Sequence, residues 1–190
     1  MAGNEGANVN ILVLGIGNLL LQDEGAGVRA VEEFGRKYLP PPGVELLDGG
    51  TSGIELLQYI QGRDLLILID VVKSGNPPGT IIRLQGADVP ALFQKKISPH
   101  QLGVSDLLAA AMLTDMMPKK VVLFGIEPES IETGLEMSGK VGGKIGRLAD
   151  LVASELGSLG LSVATKSVIP SEVKSALPDK DSSAAGAALR

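Results

Sequence analysis

The sequence has no cysteine and no tryptophan, and its 190 residues hold a single histidine, His100. Without cysteine there can be no disulfide, thiolate metal site, iron–sulfur ligation or cysteine nucleophile. One histidine excludes a zinc site of several imidazoles and a relay of two. Aromatic residues are scarce as well, with three phenylalanines and two tyrosines, too few for a platform that stacks bases. Basic residues are outnumbered. Lys and Arg total 17 against 22 Asp and Glu, a formal net charge of −5, so the chain lacks the electrostatic footprint of a nucleic-acid binder. No run approaches the roughly 20 apolar residues that span a bilayer. The start, Met1–Asn10, is polar and has neither the cationic nor the apolar region of a secretory signal. The expected location is therefore the cytoplasm.

Apolar residues make up 44% of the chain and charged residues 21%, a globular composition at a length that suits one domain with a real core. Residues 10–165 form one block without an obvious linker. Residues 1–9 have the small, polar composition of an N-terminal extension, and residues 166–190 that of a flexible C-terminal tail.

Within the block, short apolar runs alternate with helical patterns. Asn10–Leu14 (NILVL) and Asp64–Val72 (DLLILIDVV) are continuous enough to be strands buried on both faces, with Val44–Leu47 and Lys120–Ile126 as two more. Thr80–Leu84 follows the turn Ser74–Gly79 and is close enough to Asp64–Val72 to form an antiparallel hairpin with it. Val28, Val31, Phe34 and Tyr38 recur at helical spacing within Asp23–Leu39. Ser52 and Glu55 fit a capping box opening a helix to about Gln61. A last helix is expected over Leu135–Leu159, weakened in its first half by Gly139, Gly142, Gly143 and Gly146. The order implies an α/β fold with a mostly parallel sheet, helices on both faces and one antiparallel strand. Ligands of such sheets bind beyond the carboxyl ends of the strands.

Those ends carry the candidate chemistry. After the first strand comes Gly15-Ile16-Gly17, but Leu20 stands where a dinucleotide fingerprint needs its third glycine. There is also no P-loop, so a nucleotide-binding domain is a minor reading and no nucleotide is expected. Asp23 and Glu24 follow, and helix-end electrostatics alone accounts for acids there; for Asp23 a helix cap is the preferred reading. Asp48-Gly49-Gly50 ends the second strand, where a tight turn with Asp48 bonded to its own loop is slightly preferred to a binding role. Asp70 lies inside an apolar run. An unpaired buried charge is costly, so Asp70 calls for a partner, a proton or a metal.

Ser98 and Gln101 make a second capping box with Pro99 at the first helical position. This puts His100 in the first turn of a helix reaching to about Met112. The positive end of a helix disfavours imidazolium, and a neutral imidazole is what a metal requires. If Thr80–Leu84 is antiparallel, the connection from Gln85 to Lys119 climbs to the carboxyl end of the sheet near His100 and returns by the helix. Glu24, Asp70 and His100 could then converge, and two carboxylates with one imidazole suit a borderline divalent ion.

At these residues the sequence resembles a known family. Ile11–Ala30 (ILVLGIGNLLLQDEGAGVRA), Asp48–Gly53 (DGGTSG), Ile69-Asp70 and Ile97–Gly103 (ISPHQLG), in that order, are similar to the nickel–iron hydrogenase maturation endopeptidases. The resemblance covers about residues 10–160. It implies a three-layer αβα fold around a twisted five-stranded sheet. It implies an enzyme that trims a C-terminal peptide from the precursor of the hydrogenase large subunit after nickel insertion. The family's three metal-contacting positions fall on Glu24, Asp70 and His100, and its substrate-recognition loop falls on Asp48, Gly49 and Gly50. The terminal extensions and the glycine-rich last helix are less typical of it.

The implied activity is that of a monomeric endopeptidase whose partner is the precursor and whose nickel arrives with that substrate. Glu24, Asp70 and His100 are then both metal contacts and catalytic residues. Two chemistries remain open: a metal-polarised carbonyl or water, or Asp70 or Glu24 as general base. The alternative is a non-catalytic nickel chaperone or sensor with the same three ligands. A serine protease carries less weight, because Ser98 and Ser52 are better explained as caps.

Overall fold

The computed structural model describes residues 9–95 and 102–166. Its centre is a five-stranded sheet of β1 (Ile11–Ile16), β3 (Val44–Gly50), β4 (Leu65–Val71), β5 (Ile81–Gln85) and β6 (Val121–Ile126), in the order β3-β1-β4-β6-β5. The first four of that order are parallel, and β5 runs antiparallel at the edge. Helix α1 (Ala26–Lys37) and helix α6 (Ile145–Ser158) cover one face. The other face carries α2 (Leu57–Ile60), α3 (Asp88–Lys95) and α4 (Leu102–Leu113). The expected three-layer αβα architecture is the one observed.

The continuous apolar runs explain the layering. Side chains of a strand alternate between faces. Ile11, Val13, Ile67, Ile69 and Phe124 therefore pack against Phe34 of α1 and Leu148 and Val152 of α6. Leu12, Leu14, Leu66, Leu68 and Leu123 pack against Ile60, Leu107 and Leu108. Every residue of β1, β4 and β6 is buried, which is why none of them reads as amphipathic.

Three expectations need correction. Strand β5 pairs with β6 and not with β4, so the proposed hairpin does not form. Both edges of β4 are taken by parallel neighbours, and β5, half-exposed with Arg83 and Gln85, suits an outer position. The long last helix is two pieces, α5 (Gly139–Gly142) and α6, broken at Gly143-Lys144; Ser138 caps the first by accepting the Val141 N–H at 3.3 Å. Ser52 does not cap the helix after β3. That helix starts as a 3-10 turn at Ile54–Leu56 with Gly53 at its cap and no side-chain bond there, and Glu55 accepts the Gly53 N–H instead.

A short antiparallel pair, β2 (Tyr38–Leu39) with β7 (Ala164–Thr165), closes the end of the domain. The Lys166 N–H donates to the Lys37 carbonyl at 2.7 Å. Val9, before β1, packs against the core next to Gly43. Residues 1–8 and 167–190, where the extension and tail were expected, lie outside the described residues, as do Ser98, Pro99, His100 and Gln101.

Candidate active site

The site follows from strand order. From β1 the chain crosses by α1 to β3, on one side; from β3 it returns past β1 to β4, on the other. The carboxyl ends of β1 and β4 thus border the point where the winding reverses, and ligands of doubly wound sheets sit there. Glu24 follows β1, and Asp70 is in the last turn of the pleat of β4, one residue beyond the Gly15–Ile69 pair.

Glycine lets the backbone close over this point. Gly17 has φ +147, and a Cβ on it would stand 1.9 Å from the Glu24 carbonyl oxygen. Gly27, in the first turn of α1, lies so near the strands that a Cβ would meet the carbonyl oxygens of Ile16 and Ile69, each at 2.2 Å. The glycines of this segment therefore serve close packing of the 3-10 turn Gln22–Gly25 and α1 onto β1 and β4.

The two carboxylates differ from ordinary surface acids. Glu24 is 8% exposed and accepts the Asn18 backbone N–H at 2.9 Å. Asp70 is 5% exposed and accepts the Val71 N–H at 2.7 Å. Burial raises the Asp70 pKa well above the usual aspartate range; the Val71 hydrogen bond opposes this, and the charge of Glu24 adds to it. Among the described residues no ion pair reaches Asp70. A cation brought to this end of the sheet would relieve the penalty on ionised Asp70.

Glu24 lines a cavity of about 180 Å³ together with Asn18, Gly50, Thr51, Ser52, Gly103 and others. Larger concavities of about 620 and 570 Å³ flank β5, but neither is lined by Glu24 or Asp70. His100 falls outside the described residues, so the structure brings together two of the three expected ligands. Among the described residues no group of three His, Asp or Glu is placed to hold a metal.

The other predicted residues are resolved more plainly. Asp48 is exposed at the end of β3 and accepts the Gly50 N–H at 2.8 Å. Its bond within its own loop is the preferred structural reading. Gly49 is buried, and Gly50, with φ +50, accepts the Gly17 N–H at 2.9 Å through its carbonyl. The loop is thereby tied to the turn that leads to Glu24.

Asp23 is not a helix cap. It is fully buried, and its carboxylate accepts three backbone N–H groups, from Glu129 and Ser130 at 2.8 and 2.9 Å and from Ser138 at 2.7 Å. Glu127 was missed. It is 8% exposed at the end of β6 and receives the N–H groups of Ser74, Gly75 and Asn76 and the Ser74 hydroxyl. The available signal was an acid closing an apolar strand, the same signal that drew attention to Asp70.

Comparison with known proteins decides which family the chain belongs to. The family model described as hydrogenase maturation protease matches residues 28–155. The Hydrogenase 2 maturation protease of Escherichia coli K12 is 44% identical over 162 residues, 85% of this chain and 99% of that protein. The chain belongs to the hydrogenase maturation protease family. A hydrogenase expression/formation protein, HupD, of Bradyrhizobium diazoefficiens is 42% identical over 159 residues, 83% of each chain. The structure of the hydrogenase maturating endopeptidase HybD from E. coli superimposes with a TM-score of 0.78 at 45% identity, covering 83% of this chain and 98% of that one. The expected fold and the expected enzyme class both stand: the chain is an endopeptidase of hydrogenase maturation. Among the described residues no helix is long and apolar enough to cross a membrane.

Proposed function

We propose that the chain removes a C-terminal peptide from the nickel-loaded precursor of a nickel–iron hydrogenase large subunit. It does so in the cytoplasm, as a monomer and without a nucleotide. Glu24, Asp70 and His100 engage the nickel that the precursor carries, and Asp48, Gly49 and Gly50 contact the precursor beside it. Metal recognition makes cleavage conditional on nickel insertion.

The observation that carries this reading is the state of Asp70. Its carboxyl is buried at the winding reversal beside Glu24, with burial and the Glu24 charge both opposing ionisation. A carboxyl in that state is costly to ionise alone and less so beside a divalent cation. Gly103 and Val104, three and four residues beyond His100 in sequence, line the cavity that contains Glu24, which supports a site shared with the His100 segment.

Two chemistries use this arrangement. In one, the substrate's nickel polarises the scissile carbonyl or a water. In the other, Asp70 or Glu24 takes the proton of an attacking water; a raised pKa brings a carboxylate nearer to a useful base at neutral pH. Membership of a protease family favours both over a nickel chaperone.

The test is product mass. Wild-type chain mixed with its nickel-loaded precursor is expected to release a C-terminal peptide, and Asp70→Asn and His100→Ala to release none. A precursor of unchanged mass with the wild-type chain would restore the chaperone reading. Full cleavage by His100→Ala would remove His100 from the site.

A further inference from the structure

The segment after β6 is latched to the turn that carries Glu24. Asp23 holds Glu129, Ser130 and Ser138 through its carboxylate. The backbone adds to this: the Gly134 N–H donates to the Leu20 carbonyl, the Gln22 N–H to the Gly134 carbonyl, each at 2.9 Å, and the Asp23 N–H to the Ser130 carbonyl at 3.2 Å. These bonds make a parallel bridge of Leu21 with Gly134, and Leu20 and Leu135 flank it on a fixed backbone that leads to Glu24.

Both side chains face solvent, Leu20 at 61% and Leu135 at 68% exposure. A large apolar side chain on a mobile loop is unremarkable. Two of them flanking a bridge held by a buried carboxylate and three backbone hydrogen bonds are a prepared surface, since the ordering entropy of a contact is already spent. Leu20 also belongs to the site's own turn. Its N–H donates to the Asn18 side chain at 2.9 Å, and the Asn18 N–H donates to the Glu24 carboxylate.

We infer that Leu20 and Leu135 form an apolar docking lip for the protein substrate, receiving an apolar segment of the precursor next to the peptide bond to be cut. The inference rests on the substrate reading above and extends it from the metal to the polypeptide around the metal. A protein substrate must touch the enzyme around its scissile bond, and this lip is continuous with the turn holding Glu24. Docking energy concentrates on such apolar anchors at the centre of a contact.

Steady-state cleavage of the nickel-loaded precursor tests it, with Leu20→Ser, Leu135→Ser and, as a control, Leu113→Ser. Leu113 is 88% exposed at the far end of α4. Leu20→Ser and Leu135→Ser are each expected to raise KM about tenfold with kcat and urea midpoint unchanged, while Leu113→Ser changes neither constant. Unchanged KM in both lip variants, or an equal rise in the control, would overturn the inference. If wild-type dimers sediment and Leu135→Ser abolishes them, the lip belongs to a second copy and the inference is overturned too. Should the wild-type chain fail to cleave, the substrate reading fails by itself; loss of precursor binding in the lip variants, measured by calorimetry, would still support the lip, and equal binding would not.

Discussion

Asp23 and Glu24 are adjacent in sequence and both buried, yet their carboxylates do opposite work. Asp23 is saturated by the N–H groups of Glu129, Ser130 and Ser138. Glu24 turns to the cavity at the winding reversal, where it accepts the Asn18 N–H and bears electrostatically on Asp70. One acid builds the wall of the site and the next supplies its charge.

Asp23→Ala should therefore be among the most destabilising single changes in the chain. It leaves three part-buried N–H groups without their acceptor, at about 1–3 kcal/mol for each one that water cannot reach. The expected loss is about 3 kcal/mol or more, read from the midpoint of urea unfolding. A loss under about 1 kcal/mol would show that the latch is dispensable.

Asp70→Asn should do the reverse for the protein without substrate. Burial and the Glu24 charge both disfavour ionised Asp70, so discharging it removes a penalty. The variant is expected to unfold at the same temperature as wild type or higher, while cleavage is lost. A marked fall in melting temperature would mean that ionised Asp70 has a stabilising partner.

Glu127 predicts a pH dependence of definite sign. Burial tends to raise its pKa, but the Ser74 hydroxyl and the N–H groups of Ser74, Gly75 and Asn76 outweigh burial and hold it below the usual glutamate value. A depressed carboxylate binds its proton less readily folded than unfolded, so its stabilisation is present above the unfolded pKa and lost as pH falls through the folded one. Glu127→Gln should cost about 1–2 kcal/mol at neutral pH, and urea midpoints of the two proteins should converge on acidification. A gap that is constant with pH would contradict this.

Much of this fold was legible because β1, β4 and β6 are apolar on both faces and declare themselves without alternation. Asp70 was legible for the same reason, as one charge inside such a run. The partner of β5 was not, because strand pairing depends on which edges remain free after the other strands assemble. Helix α3 was missed between Gln85 and Lys119, where Pro90 interrupts a short pattern. Asp23 was misread because its three partners lie 106 to 115 residues away; no local pattern distinguishes a latch from a cap.

The glycines offer a paired test of packing. Gly27→Ala would drive a methyl into the Ile16 and Ile69 carbonyls, whereas nothing lies within 4 Å of a Cβ on Gly146 in α6. Gly146→Ala should stabilise by about 0.5–1 kcal/mol through helix propensity, and Gly27→Ala should destabilise by about 2 kcal/mol or more. Thermal unfolding of the two variants distinguishes them, and similar midpoints would show that α1 can shift away from the sheet.

The most direct test of the metal checkpoint is to offer the wild-type chain two forms of its own precursor, one with nickel inserted and one without, and to weigh the products. Loss of a C-terminal peptide from the nickel-loaded form alone is the predicted result. Equal cleavage of both forms would contradict it, leaving a protease in which Glu24, Asp70 and His100 do not read the metal.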